Sequence, residues 1–210
     1  MKICHIVGAG EMGGAKIDVH EGDFLIAADG GYAEVIAQGL KPDLAVGDFD
    51  SLGTVPENEN VVQHPVMKDD TDMMLAVKLG FERGYTNFFI YGALGGRLDH
   101  TLANIQTIMY IANHGGQGWI IGDCCLTAIH NSEARFRAEA QGVISVFCLS
   151  GEARGVDIEG LLYPLSDHAM QSDIALGVSN EFTGVPSRIS VKDGTLVIHF
   201  SSIGQADIQR

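Results

Sequence analysis

The stretch NFFIYGALGGRLDHTLANIQTIMYIAN, residues 87–113, contains a strand pattern, a glycine-rich loop and a helix pattern in immediate succession. Asn87 to Tyr91 is an apolar run of strand length, and Gly92 to Arg97 is a loop. The apolar positions that follow step by four, three, four and three, which is typical of a helix face packed on a sheet; they are Leu98, Leu102, Ile105, Met109 and Ala112. A strand joined to a helix in this way is the unit of a parallel α/β sheet.

The same alternation extends back to the N-terminus. Strand-like runs and helical windows follow one another, and the crossovers between them are long enough to contain helices. We therefore predict a parallel-sheet α/β domain over residues 1–125. Its candidate strands are Ile3 to Val7, Phe24 to Ala28, Leu44 to Val46, Val61 to His64, Asn87 to Tyr91 and Gly118 to Ile121, and a further helix is predicted from Thr71 to Arg83.

Beyond residue 125 the strand-like runs are no longer separated by long helical windows, so residues 126–210 are predicted to form a smaller all-β domain. The turn residues Lys192 to Thr195 predict a hairpin, because Asp-Gly tolerates positive φ values. The candidate strands are Leu126 to His130, Ala134 to Ala138, Val143 to Leu149, Gly155 to Leu162, Ile174 to Val178, Arg188 to Val191 and Leu196 to Phe200.

Composition narrows the function classes. The 210 residues carry a formal net charge of -14, with a pI near 4.7 and 46% apolar residues. Such a chain has enough apolar residues for a sizeable core, and its charge argues against a nucleic-acid or anionic-membrane partner. The apolar start is too short for a signal peptide and no stretch is long enough to span a bilayer, so we expect a cytoplasmic protein. The four cysteines are expected to be reduced thiols.

Four acidic motifs lie beside apolar runs or helix starts: Asp29-Gly30-Gly31, Gly47 to Ser51, Lys68 to Asp72 and Gly95 to His100. Aspartates in such positions gather at the carboxyl edge of a parallel sheet. Closely spaced carboxylates resist ionisation unless a cation lies among them, so the motifs predict a magnesium and phosphate site.

The individual acids have competing interpretations. Asp48 and Asp50 can point to the same side and hold one cation, although either alone could be a solvated loop acid. Asp69, Asp70 and Thr71 stand at a helix start, where at least one is expected to be an N-cap. A cap does not require Asp72 or Lys68, which we predict to bind metal and phosphate respectively.

The loop between Gly92 and Arg97 is predicted to cradle phosphate in front of a helix N-terminus. Arg97 would add a forked cation for phosphate oxygens. Asp99 can join the metal ligands, accept a proton from the substrate or cap the helix. For His100 a structural role is favoured.

Gly8-Ala9-Gly10-Glu11-Met12-Gly13 matches the dinucleotide-binding pattern G-x-G-x-x-G after a strand, with Asp29 at the position of a ribose-binding acid. Only residues 15–20 follow before the next turn, which is too little chain for the helix that this fold requires. Two alternatives remain: a flexible loop whose backbone N–H groups approach phosphate, or a plain connecting turn.

Taken together, the four acidic motifs, with Asn104 one helical turn further on, resemble the ordered motifs of the thiamine pyrophosphokinase family. The resemblance is strong over about residues 25–110 and weaker in the C-terminal part. It implies an N-terminal α/β domain, a C-terminal β-sandwich, and a homodimer whose thiamine sites lie between subunits. It also implies a magnesium-dependent transfer of the pyrophosphoryl group from ATP to the hydroxyl of thiamine, which yields AMP and thiamine diphosphate.

The resemblance also implies roles for individual residues. Catalytic residues would be Lys68, Asp72, Arg97 and Asp99; metal ligands would be Asp48, Asp50, Asp72 and Asp99; and binding residues would be Asp29, Gly30, Thr71, Gly95, Gly96, Tyr163, Ser179 and Asn180. A cationic thiazolium with a flat aminopyrimidine suits an aromatic face, which Tyr163 would supply where many relatives place tryptophan. A tyrosine in the β-core is the alternative.

Two other functions fit the same residues. A magnesium-dependent phosphohydrolase would use the aspartates with water as the acceptor. A non-enzymatic regulatory module would bind nucleotide through the loop from Gly8 to Gly14.

Overall fold

A computed structural model describes residues 1–47, 61–63 and 70–208 of the chain. The chain divides into two compact units. The first contains Met1–Thr107 and Ile120–Gly122, and the second contains Ile108–Trp119 and Asp123–Arg210. Across the described residues, no helix combines the length and the apolar character that crossing a membrane requires.

The first unit is built on a parallel sheet with the spatial order β5-β1-β2-β3-β4. Its strands are β1 (Cys4–Val7), β2 (Phe24–Ala28), β3 (Leu44–Gly47), β4 (Val61–Gln63) and β5 (Asn87–Tyr91), and residues of β6 (Gln117–Ile121) fall in both units. Cys4 lies opposite Phe24 on one side and Phe88 on the other. The strands are apolar along their length because helices cover such sheets on both faces, which confirms the predicted α/β class.

Three helices follow strands: α1 (Gly31–Ala37), α2 (Asp72–Glu82) and α3 (Leu98–Asn113). Helix α2 contains Gly80, which is unfavourable in a helix interior unless close packing requires it. A Cβ atom at this position would lie 2.5 Å from the Phe88 ring and 3.1 Å from Cys4 Sγ. The glycine therefore lets α2 lie directly on β1 and β5.

The predicted helix is confirmed at residues 98–113, and its predicted buried face is right at Ala112 but wrong at its start. Leu98 and Leu102 are 72% and 56% exposed. Buried positions outside the predicted face are Asn104, Thr107, Ile108 and Ile111. The polar residues among them are satisfied, since Asn104 Nδ2 donates to Ala93 O at 2.8 Å and Thr107 Oγ1 donates to Ala103 O at 3.0 Å.

The second unit contains two antiparallel sheets, with the orders β12-β9-β14-β7 and β11-β10-β13-β8. Their strands are β7 (Cys125–His130), β8 (Glu133–Phe136), β9 (Val143–Cys148), β10 (Glu152–Glu159), β11 (Leu165–Gln171), β12 (Gly177–Glu181), β13 (Ser187–Ser190) and β14 (Thr195–Phe200). Phe136 of one sheet packs edge-on against Phe200 of the other, with ring centroids 5.1 Å apart. The all-β prediction and the implied sandwich are confirmed.

Two local predictions in this unit are wrong, and one strand was missed. Lys192 to Thr195 does not close a hairpin, because β13 and β14 belong to different sheets. Strand β11 was not predicted; most of its residues are exposed, so it lacks the alternating apolar pattern that marks a half-buried strand. The strand predicted from Ile174 to Val178 begins later, at Gly177, and Ile174 is 57% exposed.

Candidate active site

A cavity of about 440 Å³ opens in the first unit at the carboxyl ends of β1, β2 and β5, where Gly8, Asp29 and Gly92 follow the strands. Ligands bind at this edge in open parallel sheets. Six of the residues predicted for the site line the cavity: Asp29, Thr71, Asp72, Gly95, Gly96 and Arg97. Residues from three of the four acidic motifs therefore line one cavity.

Asp29 sits at the cavity in a backbone conformation that is rare for a residue with a side chain, with φ of +47°. Its N–H donates to Val46 O at 2.7 Å and its carbonyl accepts from Tyr32 N at 3.1 Å, so the turn is bonded on both sides. The close approach continues at Gly31, where a Cβ would overlap the carbonyl of Val7. Gly30 occupies the cap position of α1 between them. Such strained positions are often associated with function.

The start of α2 brings Thr71 and Asp72 to the cavity. Thr71 is the N-cap, and its Oγ1 accepts a hydrogen bond from Met74 N at 3.2 Å. Asp70 has a different role, since its Oδ2 lies 2.6 Å from Lys78 Nζ in an ion pair. The N-cap of α2 is thus Thr71. Asp72 lies in the first turn of the helix and lines the cavity.

The loop from Gly92 to Arg97 forms another wall. Gly92, Gly95 and Gly96 have φ values of +58°, +78° and +61°, a conformation that favours glycine. The side chain of the buried Asn104 donates a hydrogen bond to the carbonyl of Ala93 in this loop. The loop therefore has a fixed shape at the N-terminus of α3, the arrangement that was predicted to cradle phosphate.

Arg97 and Asp99 form an ion pair at the mouth of this loop. Arg97 Nη2 lies 2.6 Å from Asp99 Oδ2, and Nε lies 3.2 Å from Oδ1. The hydrogen bond from Arg97 holds the pKa of Asp99 below its ordinary value, and the same bond raises the pKa of Arg97. Both side chains are mostly exposed, at 72% and 64%, so the pair is available for exchange with a substrate.

The loop after β1 is bound to the second glycine loop through its own N–H groups. Gly8 N donates to Tyr91 O at 2.9 Å, Gly10 N to Gly92 O at 2.8 Å, and Glu11 N to Leu94 O at 2.9 Å. These three donors are occupied, and residues 11–20 contain no helix. The N–H groups of Gly8, Gly10 and Glu11 are therefore used within the protein, while Gly8, Ala9 and Gly10 also line the cavity.

Four residues of the acidic motifs, Asp48, Asp50, Lys68 and Asp69, are outside the described residues. Within the described part of the chain, no three His, Cys, Asp or Glu side chains are grouped closely enough to hold a metal ion. Asp29 and Asp72 are the two described aspartates on the cavity wall. Carboxylates in that number suit Mg²⁺, which commonly takes one or two from protein and the rest from water and phosphate.

The structure adds cavity residues that were not predicted as site members; they are Gly8, Ala9, Gly10, Ala28, Met73, Gly92, Ala93, His100 and Asn104. The structural role expected for His100 is wrong, because this residue is exposed and lines the cavity. Its position next to Asp99 in the fourth motif was the available signal. The apolar residues carry no comparable signal, since their contact with the cavity depends on strand and helix placement.

The other predicted binding residues are in the second unit. Tyr163 is 62% exposed, which excludes the alternative of a core tyrosine. Ser179 has a φ of +58°, and the adjacent Asn180 is 3% exposed. The Asn180 side chain bonds to the backbone of Tyr163.

Comparison with known families matches two models in succession. Residues 18–119 match "Thiamin pyrophosphokinase, catalytic domain", and residues 133–196 match "Thiamin pyrophosphokinase, vitamin B1 binding domain". The two matches cover most of the chain, in the order of its two predicted domains.

Individual relatives agree with the family match. The thiamine pyrophosphokinase of Bacillus subtilis (strain 168) is 26% identical, with 82% of this chain and 85% of that protein covered. The crystal structure of thiamine pyrophosphokinase from Bacillus subtilis superposes with a TM-score of 0.82 at 25% identity, covering 95% of this chain and 99% of that one. The thiamin pyrophosphokinase structure from Geobacillus thermodenitrificans gives a TM-score of 0.79 at 25% identity, covering 95% and 97%.

Proposed function

This chain belongs to the thiamin pyrophosphokinase family, and we propose that it transfers the pyrophosphoryl group of ATP to the hydroxyl of thiamine, giving AMP and thiamine diphosphate. The observation that carries the proposal is the cavity at the sheet edge, which brings Asp29, Asp72 and Arg97 together with a glycine loop at a helix N-terminus.

ATP would bind with its phosphates against the loop that contains Gly95 and Gly96. A helix N-terminus favours negative charge, and the Arg97 guanidinium can contact two phosphate oxygens at once. Phosphate would then compete with Asp99 for Arg97. Positioning and charge stabilisation of this kind account for most of the catalysis in phosphoryl transfer.

We propose that Asp29, Asp48, Asp50 and Asp72 hold magnesium. Bound magnesium would neutralise charge on the phosphate oxygens. We propose that Asp99, or Asp72, orients the thiamine hydroxyl for attack on the β-phosphorus of ATP. Lys68 is proposed to bind phosphate, and Thr71 and Gly30 to shape the nucleotide site.

Thiamine would bind against the exposed ring of Tyr163, next to Ser179 in the second unit. We further propose a homodimer. The exposed Leu98 and Leu102 at the start of α3 support it, because large apolar side chains that remain accessible near each other mark association surfaces. Sedimentation should show a dimer, and a fully active monomer would refute this part of the proposal.

Measurement of AMP release tests the reaction. AMP and thiamine diphosphate should form from ATP only when both thiamine and magnesium are present. Thiamine-independent release of ADP or inorganic phosphate would instead support the phosphohydrolase. Asp72→Asn should abolish turnover. If the unaltered protein shows no turnover, and Asp72→Asn binds nucleotide in magnesium as well as the unaltered protein does, the regulatory module is supported instead.

A further inference from the structure

The Asn180 side chain makes its hydrogen bonds with the protein backbone. Its Oδ1 accepts hydrogen bonds from Tyr163 N and Glu181 N, both at 2.9 Å, and its Nδ2 donates to Tyr163 O at 2.8 Å. An amide side chain offers two donor hydrogens and one acceptor oxygen. With the residue 3% exposed and three bonds formed, little of this capacity can reach a ligand.

A bulge in β12 turns Asn180 inward. The pairing of β12 with β9 shifts between Gly177 and Asn180, and these two residues are buried while residues 178 and 179 between them are exposed. A regular strand alternates strictly, so the extra outward residue marks the bulge. Ser179 provides it with a φ of +58°, and its N–H donates to Ser145 Oγ at 3.1 Å.

The same contacts fix the backbone that carries Tyr163. Leu162 N donates to Glu181 O at 3.0 Å, so the segment pairs with β12 up to Leu162. At Tyr163 the Asn180 amide takes over, bonding both the N–H and the carbonyl as a neighbouring peptide would. The Tyr163 ring remains 62% exposed. Its backbone is therefore held while its aromatic face is open.

We infer that Asn180 is a positioning residue, which sets the place of the Tyr163 ring and does not itself contact thiamine. This inference rests on the proposed function. It changes the expectation for Asn180, which the sequence placed among the thiamine-binding residues. An aromatic group that is already ordered binds a flat cation without losing further conformational freedom.

A double-mutant cycle on the full-length protein tests the inference, with the Kd for thiamine measured by titration calorimetry. Asn180→Ala should raise the Kd by about tenfold, and Tyr163→Ala by at least as much. The double variant should bind no more weakly than Tyr163→Ala, because Asn180 acts through the ring. The KM for ATP should stay within about twofold of the unaltered value, since the nucleotide site is elsewhere in the chain.

Two further variants guard against a general loss of structure. Asn180→Asp keeps an acceptor for both N–H groups but places a charged oxygen, instead of a donor, opposite Tyr163 O, so its Kd should rise at least as much as that of Asn180→Ala; the melting temperature of each variant checks its fold. Asn131→Ala is the matched control. Asn131 Oδ1 also accepts a backbone hydrogen bond, from Gly194 N at 2.9 Å, and its removal should lower the melting temperature without changing the Kd for thiamine.

Additive effects in the double variant, or an unchanged Kd in Asn180→Ala and Asn180→Asp, would overturn the inference while leaving the proposed function intact. If the unaltered protein neither binds thiamine nor releases AMP in its presence, the proposed function and the inference both fall.

Discussion

The two glycine-rich loops of the first unit look alike in sequence, but Gly10 of the first and Gly96 of the second are required for different reasons. In the loop after β1, Gly10 provides space: a Cβ there would lie 2.6 Å from Gly92 O and 2.7 Å from Leu94 O. In the loop after β5, Gly96 has no neighbour within 4 Å of an added Cβ, and its φ of +61° is what requires glycine. Glycine is therefore required for space at Gly10 and for backbone conformation at Gly96.

The two loops contribute different groups to the hydrogen bonds that join them. The first loop contributes N–H donors, and the second contributes the carbonyl oxygens of Gly92 and Leu94. The second loop also precedes a helix of 16 residues and carries Arg97. The first loop thus supports the second, and we expect substitutions in the two loops to have different consequences.

The largest expected effect is on catalysis, from the second loop. Arg97→Ala should lower kcat/KM for ATP by roughly 10²–10³-fold, about 3–4 kcal/mol, because the loop loses its forked cation for phosphate. Steady-state kinetics of AMP release would measure it. The unfolding midpoint should barely change, since the Arg97 side chain is 72% exposed.

Arg154→Ala is the matched control for Arg97. Arg154 pairs with a carboxylate two residues away, Glu152, at 2.6 Å, and its side chain is 67% exposed. Its removal should leave kcat/KM within about twofold, as expected for a surface pair. An equal loss of activity in both variants would contradict a specific role for Arg97.

The next effect is on stability, from the first loop. Gly10→Ala should lower the free energy of unfolding by about 2–3 kcal/mol, because the added methyl group meets two backbone oxygens that cannot move easily. Gly14→Ala lies in the same loop with φ of +72° and open space around it, and should cost about 1 kcal/mol of backbone strain. Urea unfolding measures both. If Gly14→Ala were the more damaging, the space argument for Gly10 would fail.

The smallest effect concerns how stability depends on acid pH through Asp23, which lies next to β1. Asp23 is buried next to β1; its Oδ1 accepts from Ile3 N at 2.8 Å and its Oδ2 from His20 N at 3.0 Å, with His5 Nε2 at 3.2 Å. Burial alone would raise the pKa of Asp23, but the N–H donors of Ile3 and His20, then His5, bring the pKa below 3.8.

A lowered pKa stabilises the fold above the unfolded value and ceases to do so as the pH falls through the folded value. Stability should therefore decrease as the pH drops below about 4, and less steeply in Asp23→Asn. Urea unfolding at a series of pH values measures the slope. Asp173→Asn, which alters an exposed aspartate in the second unit, should keep the original slope. Parallel slopes for the unaltered protein and Asp23→Asn would refute the assignment.

Helix α3 shows where prediction from the sequence reached its limit. The apolar period of residues 98–113 correctly predicted a helix, since period reports local geometry. It placed Ala112 correctly on the buried face, but Leu98 and Leu102 stay exposed, while Asn104 and Thr107 are buried with their hydrogen bonds satisfied. Which face is buried depends on the layer against which a helix packs, and that information is not local.

The acidic motifs show the opposite case. Asp29 and Asp72 are far apart in the chain, yet both were predicted at one sheet edge because parallel strands place their carboxyl ends together. The structure has both on one cavity wall. Sequence reasoning did not find His100 or Asn104 as wall residues, since the rotation of α3 decides which side chains of its first turns face the cavity.

The sequence was enough to predict the α/β class, the all-β second part and acidic motifs at one sheet edge, because periodicity, turn residues and strand ends are local properties. The fold was needed to show which loop N–H groups are bonded, which residues of α3 are buried, and that Asn180 bonds to the backbone of Tyr163. Each of those outcomes depends on the bonding partner of a group, and partners that are distant in the chain meet only in the folded protein.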